Sequence, residues 1–440
     1  MAYTPNPTWV ENVSAITAAK AQKWDDGLVN QDGRLTALET GMGAVIYAED
    51  YGAVGNGTTD DTVAIQSALN AAAAPVVRGG VGKVVQLKAK KYLTGPLTMT
   101  HSSTLQGVSR GATTLLLKAN STAACLTFGP HTNVATIRHL RIDGNKYNQT
   151  STAAHGIEFP TSAANFDSTL DEYNDPRNSV DYVHIENTKG DGLRHRGRGA
   201  NQISNLWCWL CDGNGVYAGG IDSYFTNIDV GVAGLDGFYI SGADLTFTNT
   251  KAWYCGAVST AGNAGSGYQI ATFGGFKGSS MAAQDNARAG FYLKDCGNLT
   301  LSGIDADSNN TAGFGHAGID LNNCYTANIF GFSWERNAAD RQPTSAFQQY
   351  GVRVLNGSAN NRITVNGGGN TLGILDPSSL LSGNSYTLRP VANTGQLHRV
   401  VHDGTSYAAR PPGVAAGFVD WVGPTQPTAW LDGDTWTQTA

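Results

Sequence analysis

From about residue 150 onward, short runs of alternating apolar and polar side chains each open on a glycine: AHGIEF, GDGLRH, GNGVY, LDGFYI, GSGYQI, RAGFYL, HAGIDL and YGVRVL. Their glycines are Gly156, Gly192, Gly215, Gly237, Gly267, Gly290, Gly318 and Gly351, at intervals of 36, 23, 22, 30, 23, 28 and 33. Alternation with period two sends successive side chains to opposite faces of an extended strand. A base interval of 22–23 residues with insertions predicts one coil of a solenoid per interval.

A second column, Ile185, Leu206, Ile228, Thr250, Phe276, Ile304 and Phe332, repeats at similar spacing and is expected to point inward. The residues just after it are then expected to point outward: Glu186, Trp207, Asp229, Lys251, Lys277, Asp305 and Ser333. Two further on come Thr188, Trp209, Gly231, Trp253, Ser279, Asp307 and Glu335. One coil cannot bury its apolar face alone, so stacked coils share a continuous core. The leucine spacing of a leucine-rich repeat is missing. The pattern predicts an all-β chain, a right-handed single-stranded parallel β-helix of about ten to twelve coils, over residues 46–395.

Residues 1–45 read differently. Val10, Val13, Ile16 and Ala19 recur at helical spacing, and Leu28, Leu35, Leu38 and Met42 make a short a/d seam. This predicts a helical attachment and trimerisation segment, with an amphipathic helix packed on its own chain as the alternative. Residues 396–440, rich in proline, tryptophan and glycine, are expected to form a small C-terminal element.

Composition narrows the function. Glycine is 55 of 440 residues and charged residues only 15%, which suits strands joined by many tight turns. A net charge of −6 gives no electrostatic footprint for nucleic acid. No run approaches about 18 consecutive apolar residues, so no membrane insertion is expected. The opening MAYTPNPTWVENVS has neither a basic n-region nor an apolar h-region, so no secretory signal is expected there. Six cysteines are too few for a disulfide scaffold in a chain this long.

The string DYGAVGNGTTDDTVAIQSALNAA, residues 50–72, resembles the entry motif of the pectate-lyase-like superfamily of parallel β-helix proteins, which includes polygalacturonases and many bacteriophage tailspikes. Gly52, Gly55 and Gly57 suit a tight entry loop. Asp60 or Asp61 is placed to cap a helix over 62–73, whose stripe of Val63, Ile65, Ala68 and Leu69 would close the end of the solenoid. The following GGVGKVVQLKAKKYLTGPL departs from the family pattern only at residues 88–91, where its usual Pro-x-Gly turn is replaced. GPTQPTAWLDGDTW near the end resembles the ends of tail proteins of phages that infect actinobacteria, and NPTWVENVSAITAAKAQKWDDGL is similar to the opening of phage tail-associated proteins. The resemblance implies a virion protein of the tail, a tailspike or minor tail protein. It would be a homotrimer, joined to other tail proteins by its N-terminal segment and recognising a host cell-surface polysaccharide.

Candidate chemistry follows from the outward columns. Trp207, Trp209 and Trp253 form a wall of indoles suited to stacking on the apolar faces of sugars; burial under loops or in a subunit interface is the structural alternative. Glycoside hydrolysis needs two carboxyl groups about 5 Å apart for retention or about 6.5–9.5 Å for inversion. Glu186 and Asp229, two coils apart, are expected at roughly 9.6 Å, and Asp305 and Asp307, on one strand, at roughly 6.5–7 Å. The polygalacturonase catalytic segments are absent, so pectinase activity does not transfer. The run RHRGRG offers Arg194, His195 and Arg196 as an acidic-sugar site, unless it simply pairs with the acidic insert at 166–178. Cys208-x-x-Cys211 has no second pair to complete a zinc site, and the spacing predicts its thiols on opposite faces. The turn at 143–148 lacks the spacing of a calcium loop, so no metal and no cofactor is expected. Three functions stay open: a receptor-binding virion component, a polysaccharide depolymerase (glycoside hydrolase or polysaccharide lyase), and a free bacterial carbohydrate enzyme.

Overall fold

A computed structural model describes residues 45–74, 82–129, 132–161, 176–256, 265–336, 346–348 and 350–367 with their side chains, and five further strands between 372 and 438 by their backbone. Among these residues the strands pair in parallel in two sheets, a broad one of 16 strands and a narrow one of 14. Over residues 84–403 neighbouring strands of one sheet are separated in sequence by a strand of the other, which is the winding of a parallel β-helix. The helical seam at 28–42 and most of the acidic insert lie outside the described residues.

The glycine column sets the narrow sheet. The residues after the glycines are register partners along the stack, Ile157, Leu193, Val216, Phe238, Tyr268, Phe291, Ile319 and Val352 in turn. These glycines are not left-handed; they are required by close approach. A Cβ at Gly215 would lie 2.1 Å from Val230 Cγ1, and one at Gly156 2.4 Å from Ile185 Cγ2. The coil is too thin there for any side chain. Between the sheets Phe238, Tyr268 and Phe291 stack face to face at 4.7 and 4.8 Å, and Phe225 on Phe247 at 4.4 Å. Each such burial stabilises the fold by roughly 1.5–3 kcal/mol. Thr250 sits in this core because its hydroxyl pairs with the Tyr268 hydroxyl at 2.9 Å.

A bend divides the broad strands into two limbs. Asn205, Asn227 and Asn249 have φ of 51°, 57° and 53°, a left-handed conformation that asparagine tolerates better than most residues. They form a ladder in which the Asn249 amide donates to Asn227 at 3.1 Å and the Asn227 amide donates to Asn205. The bend shifts the phase of the alternation, and this corrects the predicted second column. Leu206, Ile228 and Thr250 are buried and in register. Ile185, however, pairs with Cys208, two positions further along. Phe276 is buried on the first limb, between Leu245 and Leu299, and Met281 takes its expected place beside Thr250.

Ile304 is inside, but Phe332 is 45% exposed and pairs with Asp305. The strand Asn328–Trp334 contains no left-handed residue and runs straight past the bulge at Gly303, so Ile329, Gly331 and Ser333 face inward instead. Ser333, expected outside, donates to the Gly351 carbonyl at 2.7 Å. Lys277 and Ser279 belong to the first limb, and Thr188 and Glu335 are buried.

The helix Thr62–Ala72 buries Ile65, Ala68, Leu69 and Ala72, while Val63 is left exposed. Asp60 accepts from the Thr62 amide at 3.1 Å; Asp61 turns back to the entry loop and accepts from Val54 and Gly55. Cys208 and Cys211 both face the core rather than opposite faces, because Leu210 between them adopts φ 55°. All six cysteines are free and buried. The narrow sheet runs on by backbone pairing through Val400–Asp403, Val419–Gly423 and Thr435–Gln438.

Candidate functional site

The second limbs of the broad sheet carry two outward columns. One runs Arg141, His184, Trp207, Asp229, Lys251, Ala282 and Asp305; the other runs Asp143, Glu186, Trp209, Gly231, Trp253, Gln284 and Asp307. All three tryptophans and the four candidate acids therefore share one wall. Glu186 is in the second column, not the first, so its backbone is diagonal to that of Asp229, about 12 Å away rather than roughly 9.6 Å.

Gly231 explains the close packing of the indoles. Trp209 and Trp253 are two coils apart, yet their rings meet at 4.9 Å by leaning over the glycine between them. A Cβ there would lie 2.5 Å from Trp209 Cζ3 and 3.0 Å from Trp253 Cε2. Asp229 fixes the Trp253 ring by accepting its Nε1–H at 2.7 Å. Trp207 meets Trp209 edge-on at 6.1 Å and stacks on His184 at 4.7 Å.

Two adjoining cavities open along this wall and share Arg110 and Trp207. One of about 520 Å³ is lined by the asparagine ladder, Asp229 and Lys251. The other, about 570 Å³, is lined by Arg141, His184, Glu186, Trp209 and Trp253. In the second, Arg141 Nη2 lies 3.2 Å from Glu186 Oε2, and Arg141 Nε donates to His184 Nδ1 at 3.4 Å. Burial, helped by the charges of Arg141 and Arg110, pushes His184 down to about 4, so its imidazole is neutral at pH 7. Its proton is then on Nε2, 3.5 Å from Glu186 Oε2. Burial pushes the Glu186 carboxyl up, Arg141 opposes it and Asp143 adds to it. Burial wins over the ion pair, since the Glu186 side chain is only 16% exposed.

Asp305 and Asp307 are on the same wall but line neither cavity. Asp305 accepts the Trp334 indole N–H at 2.8 Å; Asp307 accepts from Ser308 at 2.7 Å and from Arg336 at 3.0 Å. Burial raises both carboxyls.

The Arg194–Arg196 segment is on the narrow sheet and does not reach this groove. Arg194 Nη1 pairs with Asp191 at 2.8 Å and lies over the Tyr217 ring, and Arg196 pairs with Glu158. His195 is fully buried, packed against Phe159 and Phe225, with Ser223 Oγ at 3.1 Å from its Nε2. The in–out–in alternation of Leu193–His195 sends it into the core, away from solvent. Burial lowers it to about 3.

Sequence reasoning missed Arg110 and Arg141, which lie before the clear repeats begin. It also missed the buried His316–Asp320–Arg353 cluster, where Asp320 bonds His316 Nδ1 at 2.5 Å and Arg353 at 2.6 Å. Two signals were available: Asn205, Asn227 and Asn249 recur every 22 residues, and His316 and Asp320 flank a glycine-column strand start. Among the described residues, no group of three or more His, Cys, Asp or Glu side chains is arranged to hold a metal ion.

No protein-family model and no curated protein matches the chain. Solved structures do. The A-module of the mannuronan C-5 epimerase AlgE4 of Azotobacter vinelandii superposes with a TM-score of 0.61 at 20% identity, over 90% of this chain and 100% of that one. Tailspike protein 2 of the Escherichia coli O157:H7 bacteriophage CAB120 gives 0.61 at 18%, over 73% of this chain and 42% of that one. The Dettilon tailspike protein gives 0.51 at 14%, over 81% and 68%. These likenesses establish the parallel β-helix fold.

Proposed function

We propose that this chain is a bacteriophage tail protein, a tailspike or minor tail protein, that recognises a host cell-surface glycan along the groove of its broad sheet. One observation carries the reading: Trp207, Trp209 and Trp253 stand together on the wall of two adjoining cavities, held in place by Gly231 and Asp229. Flat aromatic faces flanked by a few polar groups are what a sugar chain needs for stacking and orientation. The tail assignment is supported by the tailspikes that share the fold and by the terminal strings noted above. In this reading residues 1–45 attach the protein to other tail components, the solenoids associate as a homotrimer, and residues 396–440 form a C-terminal element. Sedimentation at micromolar concentration should give three times the 46.2 kDa chain mass; a monomer mass removes the trimer.

A second reading, a polysaccharide depolymerase, is favoured by Glu186. A mostly buried carboxyl held up by its surroundings is suited to protonate a leaving oxygen, and Asp229 stands diagonal to it on the same wall. Purified protein incubated with host-surface polysaccharide separates the two. Reducing ends alone mean hydrolysis, reducing ends with unsaturated-uronate absorbance mean elimination, and binding with neither leaves recognition only. If there is turnover, Glu186→Gln should lower it about a hundredfold or more with little change in binding, and wild-type turnover should fall as pH rises through the raised Glu186 pKa. Full turnover in the variant would remove Glu186 from the mechanism.

A further inference from the structure

The charge of the groove runs against the charge of the protein. The chain carries −6 overall, yet the two cavities are lined by three cations, Arg110, Arg141 and Lys251, against two carboxylates, Asp229 and Glu186. Arg141 is held by Glu186 at 3.2 Å. Arg110 and Lys251 are different. Arg110, exposed in the loop before Thr114–Leu117, makes no ion pair or hydrogen bond through its guanidinium among the described residues. The Lys251 ammonium has no carboxylate within ion-pair distance among those residues and lies 6.0 Å over the Trp253 ring. The two cations line the same 520 Å³ cavity as Trp207 and the asparagine ladder.

We infer that the groove is built for an anionic glycan, whose acidic groups pair with Arg110 and Lys251 while a sugar face lies on Trp207. This rests on the glycan-recognition reading and adds the substrate class to it. The reasoning is complementarity. Cations in a partly enclosed groove attract a polyanion and suppress neutral or cationic chains, and guanidinium forks match carboxylate or phosphate oxygens. The Asn227 and Asn249 amides beside them supply donors and acceptors for hydroxyls. The anion is a uronate carboxylate or a backbone phosphodiester, since both groups accept from the same donors. The arginines of residues 194–196 do not compete for this role, because Asp191 and Glu158 already neutralise them.

The test uses the full chain and a defined probe set: polygalacturonate, polymannuronate and hyaluronan, each beside its carboxyl-reduced counterpart, together with poly(glycerol phosphate) and dextran, all by affinity electrophoresis and calorimetry. At least one anionic polymer should bind, with affinity falling as salt rises, and carboxyl reduction of a bound uronate polymer should cost tenfold or more. A preference for poly(glycerol phosphate) over every uronate polymer identifies the phosphodiester as the source. Arg110→Gln and Lys251→Gln, both exposed positions, should each weaken the anionic ligand by about tenfold, with unchanged thermal midpoints and a markedly smaller effect on any carboxyl-reduced chain. If carboxyl-reduced polymers or dextran bind as tightly as anionic ones, the anionic assignment is overturned and glycan recognition stands. If no polymer in the set binds, both fail together.

Discussion

The two outward faces of the solenoid solve the same problem in opposite ways. On the narrow sheet three arginines are matched to carboxylates: Arg194 with Asp191, Arg196 with Glu158, and Arg353 with Asp320. Tyr217 and Tyr239 stack at 5.2 Å, and Arg288 donates to His316 at 3.1 Å. On the second limb of the broad sheet, Arg110 and Lys251 lack anionic partners among the described residues, and the buried Trp207 Nε1 and His184 Nε2 have no hydrogen-bond partner. An unmatched buried donor costs about 1–3 kcal/mol. The narrow side keeps unmatched groups too, Arg196 Nε, His195 Nδ1 and Ser266 Oγ, so the difference between the faces lies in the paired charges of the one and the open cavities of the other. The broad face is the one with two adjoining cavities and, among the described residues, two cations without anionic partners.

The largest effect expected from this contrast is on the narrow face. Asp320→Ala would strand Arg353 and His316 in a site where Asp320 itself is fully buried. Removing one member of such a buried charged set costs about 3–5 kcal/mol. Chemical denaturation should report that loss, while any folded fraction should bind glycan as wild type does. A loss below about 1 kcal/mol, or a selective loss of binding, would reverse the roles given to the two faces.

Next in size is a dependence on pH. Asp236, on the narrow side, is buried and pushed up to about 7, although the Ser266 amide and Arg288 oppose the shift. A carboxyl raised in the folded state keeps its proton where the unfolded chain has lost it, so this group's contribution to stability falls as pH rises from about 4 to about 7. His184 and His195, lowered to about 4 and about 3, act in the other direction. Their unfolded forms take up protons first, so their contribution is lost as pH falls from about 6.5 toward those values. Asp236→Asn should therefore remove a negative slope of up to about 1.4 kcal/mol per pH unit between pH 4 and 7, leaving stability that rises more steeply with pH. Unchanged slopes in denaturation series across that range would refute the assignment.

How much of this was legible in the sequence depends on what kind of signal each feature leaves. The glycine column was readable because a coil too thin for a Cβ admits one residue type, and every interval then marks a coil. The apolar column was readable only in part: Ile185 is inside but two positions along in register, and Phe332 is outside because its strand lacks the left-handed bend that Asn205, Asn227 and Asn249 give the earlier coils. The tryptophan wall was legible because Trp207 and Trp209 alternate on one strand and Trp253 repeats the Trp209 position two coils on. Arg110 was not found. It reaches the groove from a loop outside the repeat, and loop geometry leaves no periodic trace. His195 shows the converse: a sequence rich in arginine and histidine looks like a site, but alternation along three residues decides that this ring is core.

The smallest expected effect bears most directly on the groove. Trp207 lines both cavities and is partly exposed, packed on His184 on one side and Trp209 on the other. A ring stacked on a ligand face is worth about 0.5–1.5 kcal/mol beyond area burial, on the scale of aromatic pairs. Trp207→Ala should thus weaken glycan binding by roughly two- to tenfold. Its stability cost should stay well below that of Asp320→Ala, because the ring stands outside the core. Trp207→Phe keeps a flat face and should recover most of the affinity, whereas Trp207→Leu, apolar but not flat, should not. Titrating the three variants with one bound polysaccharide distinguishes stacking from mere apolar contact. Equal affinity for Phe and Leu would mean that the wall serves packing, and that recognition rests on the charged and amide groups of the groove alone.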